Sequence, residues 1–182
     1  MAKVLVVVDM QNDFVTGALR NEDAIAIVPN VVNEIDNAIA DEKLIIYTRD
    51  THDAPNIYMT TEEGKNLPVP HCEKGTKGWQ IIPEIEGYLA AYTDNTYVVN
   101  KGTFGSTNLG DLLCRIYASK GIEEIEFIGI CTDICVISNA LLTKAFLPNV
   151  PLTVKADCCA GVTPESHKTA LNAMAACQIK VI

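Results

Sequence analysis

The chain has 182 residues, of which 48% are hydrophobic and 20% charged, and it carries a net charge of −9. That length builds one full core and is too short for two comfortable ones, so a single domain over 1–182 is expected. With 23 acidic residues against 14 basic, binding to nucleic acid or to an anionic membrane is disfavoured.

The opening run Val4–Val8 is apolar, too short to span a bilayer and not followed by a cleavage-site pattern. It reads as a buried strand, and a cytoplasmic location is the expectation. Ile25, Val28, Val31, Val32, Ile35 and Ile39 mark one face of a helix over Ala24–Ala40. Further β-branched runs lie at Leu44–Thr48, Thr96–Val99, Ile125–Ile130 and Leu152–Lys155, with a last strand near Gln178–Ile182. Weaker helical patterns cover Asn108–Ser119 and Pro164–Ala176. Strands apolar on both faces, alternating with helices, predict an α/β fold: a three-layer, doubly wound, mainly parallel sheet of about six strands with helices on both faces. The segment Asp50–Trp79, with Pro55, Pro68, Pro70 and three glycines, breaks this rhythm. Long irregular excursions inside a compact domain are commonly functional.

Ligands of doubly wound sheets bind beyond the carboxyl ends of the strands. Asp9, Asp50 with His52, Asn100-Lys101 and Cys131–Cys135 all fall there. Cys135 begins an apolar helix, where the macrodipole is expected to favour thiolate and lower its pKa. A buried, inert thiol is the competing reading. The odd count of seven cysteines speaks for reduced thiols rather than a disulfide framework. An ammonium at Lys101 would favour the thiolate, and Asp9 could take its proton and return it to a leaving group. Main-chain N–H groups at the Cys131 turn can face an oxyanion.

Three segments in order, Asp9-Met-Gln-Asn-Asp-Phe14, Lys101 and Gly129-Ile-Cys-Thr-Asp-Ile-Cys-Val136, resemble the isochorismatase-like cysteine hydrolases, and among them the nicotinamidases. The resemblance covers nearly the whole chain. It implies a triad of Asp9, Lys101 and Cys135, a cis Ile130–Cys131 peptide, an oxyanion hole from the Cys131 and Cys135 amides, and Phe14 in the pocket wall. Asp157–Gly161 and Pro164–His167 resemble a later family segment, read as structural. His167 is expected on a helix surface or in packing, Trp79 in packing, and Cys114, Cys158, Cys159 and Cys177 in the core.

Asp50 and His52, two apart in extended chain, can share an ion, and His71 arrives from the far end of the excursion. The resemblance implies that these three hold one divalent metal, zinc first with manganese or iron as alternatives, and that the metal meets the substrate's ring nitrogen. Tyr58 stands where many members carry a further histidine. Glu63 resembles a glutamate that other members use, with Glu62 as its neighbouring alternative. The implied activity is hydrolysis of a small carboxamide, nicotinamide to nicotinate and ammonia, through a cysteine thioester. An N-carbamoyl or ureido substrate without metal is the first alternative. A redox or metal-binding regulatory protein with Cys131 and Cys135 as an oxidisable pair is the second. The partner is a small molecule, and assembly into a homo-oligomer is left open.

Overall fold

A computed structural model describes residues 1–182. Six strands, β1 (Ala2–Val8), β2 (Leu44–Asp50), β3 (Thr96–Lys101), β4 (Ile122–Ile130), β5 (Leu152–Ala160) and β6 (Lys180–Val181), form one sheet in the order β3-β2-β1-β4-β5-β6. Every pairing is parallel. The helices are α1 (Asn12–Val15), α2 (Glu22–Ala40), α3 (Pro55–Tyr58), α4 (Glu62–Asn66), α5 (Pro83–Ala91), α6 (Thr107–Lys120), α7 (Ile137–Phe146) and α8 (Pro164–Ala176). The expected α/β architecture is therefore present, and none of these helices is long and apolar enough to cross a membrane.

Side-chain alternation along each strand divides the interior into two cores. Val4, Val6, Val8, Ile46 and Phe127 meet Leu109 and Leu113 of α6 and Met174 of α8. Leu5, Val7, Ile45 and Ile128 meet Val31, Ile35 and Ala38 of α2 and Ile85 of α5. Asn21 caps α2, its side-chain oxygen accepting from the Asp23 and Ala24 N–H groups. Thr163 and Ser166 close a reciprocal capping box on α8.

Several strands outrun their apolar cores. The strand expected at Leu44–Thr48 continues to Asp50, and that at Thr96–Val99 continues to Lys101, because Asp50 and Lys101 are register partners in neighbouring strands. β5 extends through Asp157 to Ala160, with an irregular register against β4 between Phe127 and Gly129. The excursion contains α3 and α4 and returns to the sheet through a bridge of His52 with Glu73. Gly129 has φ +113, and a Cβ there would lie 2.1 Å from the Val8 carbonyl oxygen. Only glycine lets β4 approach β1 this closely, two residues before Cys131.

Candidate active site

Asp9 follows the last residue of β1 in a left-handed conformation, φ 48, and is fully buried. Thr48, on the neighbouring β2, holds it twice: its hydroxyl donates to Asp9 Oδ1 at 2.6 Å and accepts from the Asp9 N–H at 3.2 Å. Asp9 Oδ2 receives no well-aligned hydrogen bond and is matched by the Lys101 ammonium 2.7 Å away. Lys101 Nζ also lies 3.4 Å from Cys135 Sγ and 3.4 Å from Asp50 Oδ1. One buried ammonium thus touches two carboxylates and the thiol.

Burial raises the Asp9 pKa, opposed by Lys101. Burial would lower that of Lys101, but Asp9, Cys135 and Asp50 hold it above its ordinary value. The expected lowering at Cys135 is not found. Desolvation raises its pKa well above the usual thiol value, and the facing Asp9 carboxylate adds to the rise more than Lys101 removes. The reason is local: Cys135 lies in a π-helical turn, Thr132–Val136, ahead of α7, and is 5% exposed. Desolvation thus disfavours the thiolate in this state.

The Ile130–Cys131 peptide is cis. The Cys131 N–H donates to no main-chain carbonyl, while its C=O accepts from Ile134 and Val136. The Cys131 side chain packs against the core on the α2 face, whereas Cys135 belongs to the core on the other face. Both are free thiols.

A second cluster adjoins the first through Asp50. Asp50, His52, Glu63 and His71 each present one donor atom, all within 4.8 Å of one another. Asp50 Oδ2 lies 2.9 Å from His52 Nε2 and 3.5 Å from His71 Nε2, and Glu63 Oε1 lies 3.5 Å and 3.9 Å from the same two nitrogens. His71 Nδ1 is 2.7 Å from the Val69 carbonyl, to which it donates, so Nε2 is the nitrogen that faces the carboxylates and, once deprotonated, offers a lone pair to a cation. Lone pairs of two imidazoles and two carboxylates converging in a buried space suit a divalent cation. Burial lowers the His71 pKa, but Asp50, Val69 and Glu63 together raise it. Burial also raises the Asp50 carboxyl, yet His52, His71 and Lys101 hold it well below the carboxylate range.

The cluster is positioned by pairing: the His52 N–H donates to the Cys72 carbonyl at 3.0 Å, bringing the His71 segment alongside. Glu63 comes from α4, whose cap Thr61 accepts from the Gly64 N–H. Glu62 points away, exposed beside Lys65. Tyr58 is buried, its ring 4.5 Å from that of His52 and 5.3 Å from that of His71, its hydroxyl donating to the Leu67 carbonyl. Phe14 is half-buried with its ring edge-on to His71 at 5.5 Å.

Trp79 is a packing residue as expected, stacked 3.8 Å from the Arg49 guanidinium and donating to Thr51. Cys177, the residue that ends α8, is exposed and so is not the core thiol expected, whereas Cys114 is half-buried and packs against the α6 side of the core. His167 does more than sit on a surface: its Nδ1 bonds Thr132 Oγ1 at 2.8 Å. Thr48 and Gln11 lie within segments named from the sequence, a strand and the Asp9–Phe14 motif, but the sequence assigns neither a role. Gln11 accepts from the Asp50 N–H and donates to the Asp50 and Trp79 carbonyls. Its place two residues after Asp9, at a strand end, was the available signal.

A parallel doubly wound sheet with a thiol, an ammonium and a carboxylate buried together at its carboxyl rim defines a candidate hydrolytic centre of the α/β class. The chain belongs to the isochorismatase family: the Isochorismatase domain model matches residues 3–182. It is 26% identical over 189 residues to the nicotinamidase/pyrazinamidase of Mycobacterium tuberculosis, covering 99% of this chain and 98% of that protein. The pyrazinamidase of Pyrococcus horikoshii, solved in complex with zinc, superposes with a TM-score of 0.80 at 25% identity, over 100% of this chain and 99% of that one. An N-carbamoylsarcosine amidase from Thermoplasma acidophilum superposes with a TM-score of 0.76 at 25% identity, over 100% and 95%.

Proposed function

We propose that the protein is a cysteine amidase that hydrolyses nicotinamide, or a close heteroaromatic carboxamide, to the carboxylate and ammonia. The observation that carries this reading is Lys101, whose Nζ contacts Asp9, Cys135 and Asp50 and so joins the thiol centre to the four-donor cluster.

Asp9 takes the Cys135 proton as sulfur attacks the amide carbon, and Lys101 stabilises the developing thiolate. The negative oxygen of the tetrahedral adduct rests on the Cys131 and Cys135 N–H groups. Protonated Asp9 gives its proton to the amide nitrogen, which leaves as ammonia when the C–N bond breaks. Asp9, again ionised, takes a proton from water attacking the thioester; collapse expels Cys135 sulfur, which recovers that proton, and frees the acid. A divalent ion held by Asp50, His52, His71 and Glu63, zinc first with manganese or iron as alternatives, would accept a ring-nitrogen lone pair and orient the carboxamide. Phe14 forms the aromatic side of the pocket.

The same trio would serve an N-carbamoyl or ureido substrate, a reading to which the likeness to the carbamoyl amidase lends support. The buried four-donor cluster favours the carboxamide. Ammonia release from a panel of carboxamides and ureido compounds, with and without chelator, separates them. Full turnover of nicotinamide by Cys135→Ala would overturn the mechanism.

A further inference from the structure

The π-helical turn that carries Cys135 is fastened on two sides. On one, Asn139 Nδ2 donates to the Cys135 carbonyl at 2.8 Å and to the Phe104 carbonyl at 3.0 Å, while its Oδ1 accepts from the Ser106 N–H. On the other, the connection from β5 into α8 grips the first two residues of the turn. Asp133 Oδ1 accepts from the Val162 N–H at 3.0 Å, and Thr132 Oγ1 meets His167 Nδ1 at 2.8 Å.

Thr132 follows Cys131, is fully buried, and has His167 as its one side-chain hydrogen-bond partner. His167 is itself fixed: its N–H donates to the Thr163 carbonyl at 2.9 Å, one turn behind. A Cβ at Gly161 would stand 2.8 Å from His167 Cβ, so the first turn of α8 sits directly on the Gly161 backbone. Thr163 and Ser166 lock that turn with their capping box.

We propose that His167 is a positioning residue for the nucleophile, acting through the Thr132 hydroxyl to hold the turn between Cys131 and Cys135 in register with Asp9 and Lys101. This rests on the reading of Cys135 as the nucleophile. His167 touches no reacting group. It fixes the residue between the amide and the thiol that meet the substrate. A hydrogen bond lost here leaves the buried Thr132 hydroxyl without a partner, and a displacement of about 1 Å at a reacting group costs on the order of 100-fold in rate.

The test compares His167→Ala, His167→Asn, Thr132→Val and the double variant His167→Ala/Thr132→Val. Each is checked for native circular dichroism. Turnover of nicotinamide is measured alongside the rate at which iodoacetamide alkylates Cys135, followed by peptide mass spectrometry. His167→Ala should lower kcat and the Cys135 alkylation rate by about 10- to 100-fold with KM within about twofold. His167→Asn, which can place a polar atom near the position of Nδ1, should recover most of both. The double variant should lose no more than either single one, because both changes remove one interaction. Unchanged kcat and alkylation in His167→Ala, additive losses in the double variant, or no rescue by His167→Asn would overturn the proposal. If the wild-type chain releases no ammonia from nicotinamide, the substrate reading fails. The alkylation rates then decide the role of His167 by the same comparison.

Discussion

Replacing Lys101 with Met keeps a long apolar stem and deletes the charge that joins both halves of the site. Its Nζ lies 3.4 Å from Cys135 Sγ, with the side chain 1% exposed. Two unit charges at that distance attract by about 5 kcal/mol at an effective dielectric of about 20, which sets a ceiling on its contribution to the thiolate. Since each 1.36 kcal/mol is tenfold in rate, a fall of about 1,000-fold in kcat/KM lies within that ceiling. Asp9, already raised by burial, would lose its closest cation and be pushed further up, weakening it as the proposed general base. Breaking this buried ion pair should cost about 3–5 kcal/mol of stability. Ammonia release under kcat/KM conditions and urea denaturation followed by circular dichroism measure the two effects. Activity within tenfold of wild type would refute the assignment of Lys101 to the thiol.

Gln11→Ala should leave the buried Asp50 N–H unpaired at a cost of about 1–3 kcal/mol and weaken metal retention, read by metal analysis after dialysis against chelator. Metal content and midpoint equal to wild type would refute this. Gly129→Ala should fail to give soluble native protein, since the new Cβ would lie 2.1 Å from the Val8 carbonyl oxygen; a native thermal transition would contradict the β1–β4 packing. Lys155→Met removes a cation 2.6 Å from Glu34 and 3.6 Å from Glu126, both still paired with Lys43, and should cost about 1–3 kcal/mol at pH 7. Burial lowers the Lys155 pKa, but Glu34 and Glu126 raise it above 10.5 in the folded chain. Its stabilisation is therefore complete below pH 10.5 and lost as pH rises past the raised value. The gap between variant and wild type should close on the alkaline side, and a gap constant with pH would refute the ion pair.

The fold was legible because strands buried on both faces leave long apolar runs in the sequence, as Val4–Val8 and Ile125–Ile130 do. Strand ends were less so. Asp50 and Lys101 are polar, and only their pairing with each other shows that they close β2 and β3 rather than open loops. α5 was not foreseen, its apolar residues Ile85, Tyr88 and Leu89 being too few to set a period within so short a segment. Asp9, Lys101, Cys135, Asp50, His52 and His71 could be named because each carries distinctive chemistry at a strand end or in the excursion. Thr48 and His167 act by holding other groups, and that role depends on neighbours 39 and 35 positions away. The direction of the Cys135 pKa was misjudged because a helix terminus is visible in sequence while complete desolvation is not.

The sheet order also has a consequence for how the site is assembled in time. β1 lies inside the sheet, between β2 and β4, so Asp9 meets Lys101 and Cys135 only after crossovers on both sides of β1 have closed. Such non-local closures are entropically costly and slow relative to helix formation. A chain that has folded only its early helices therefore holds Asp9, Lys101 and Cys135 apart until β1 to β4 have paired. Regain of the proposed amidase activity on refolding would report the pairing of β1 to β4, and a fragment ending before β4 lacks Cys135.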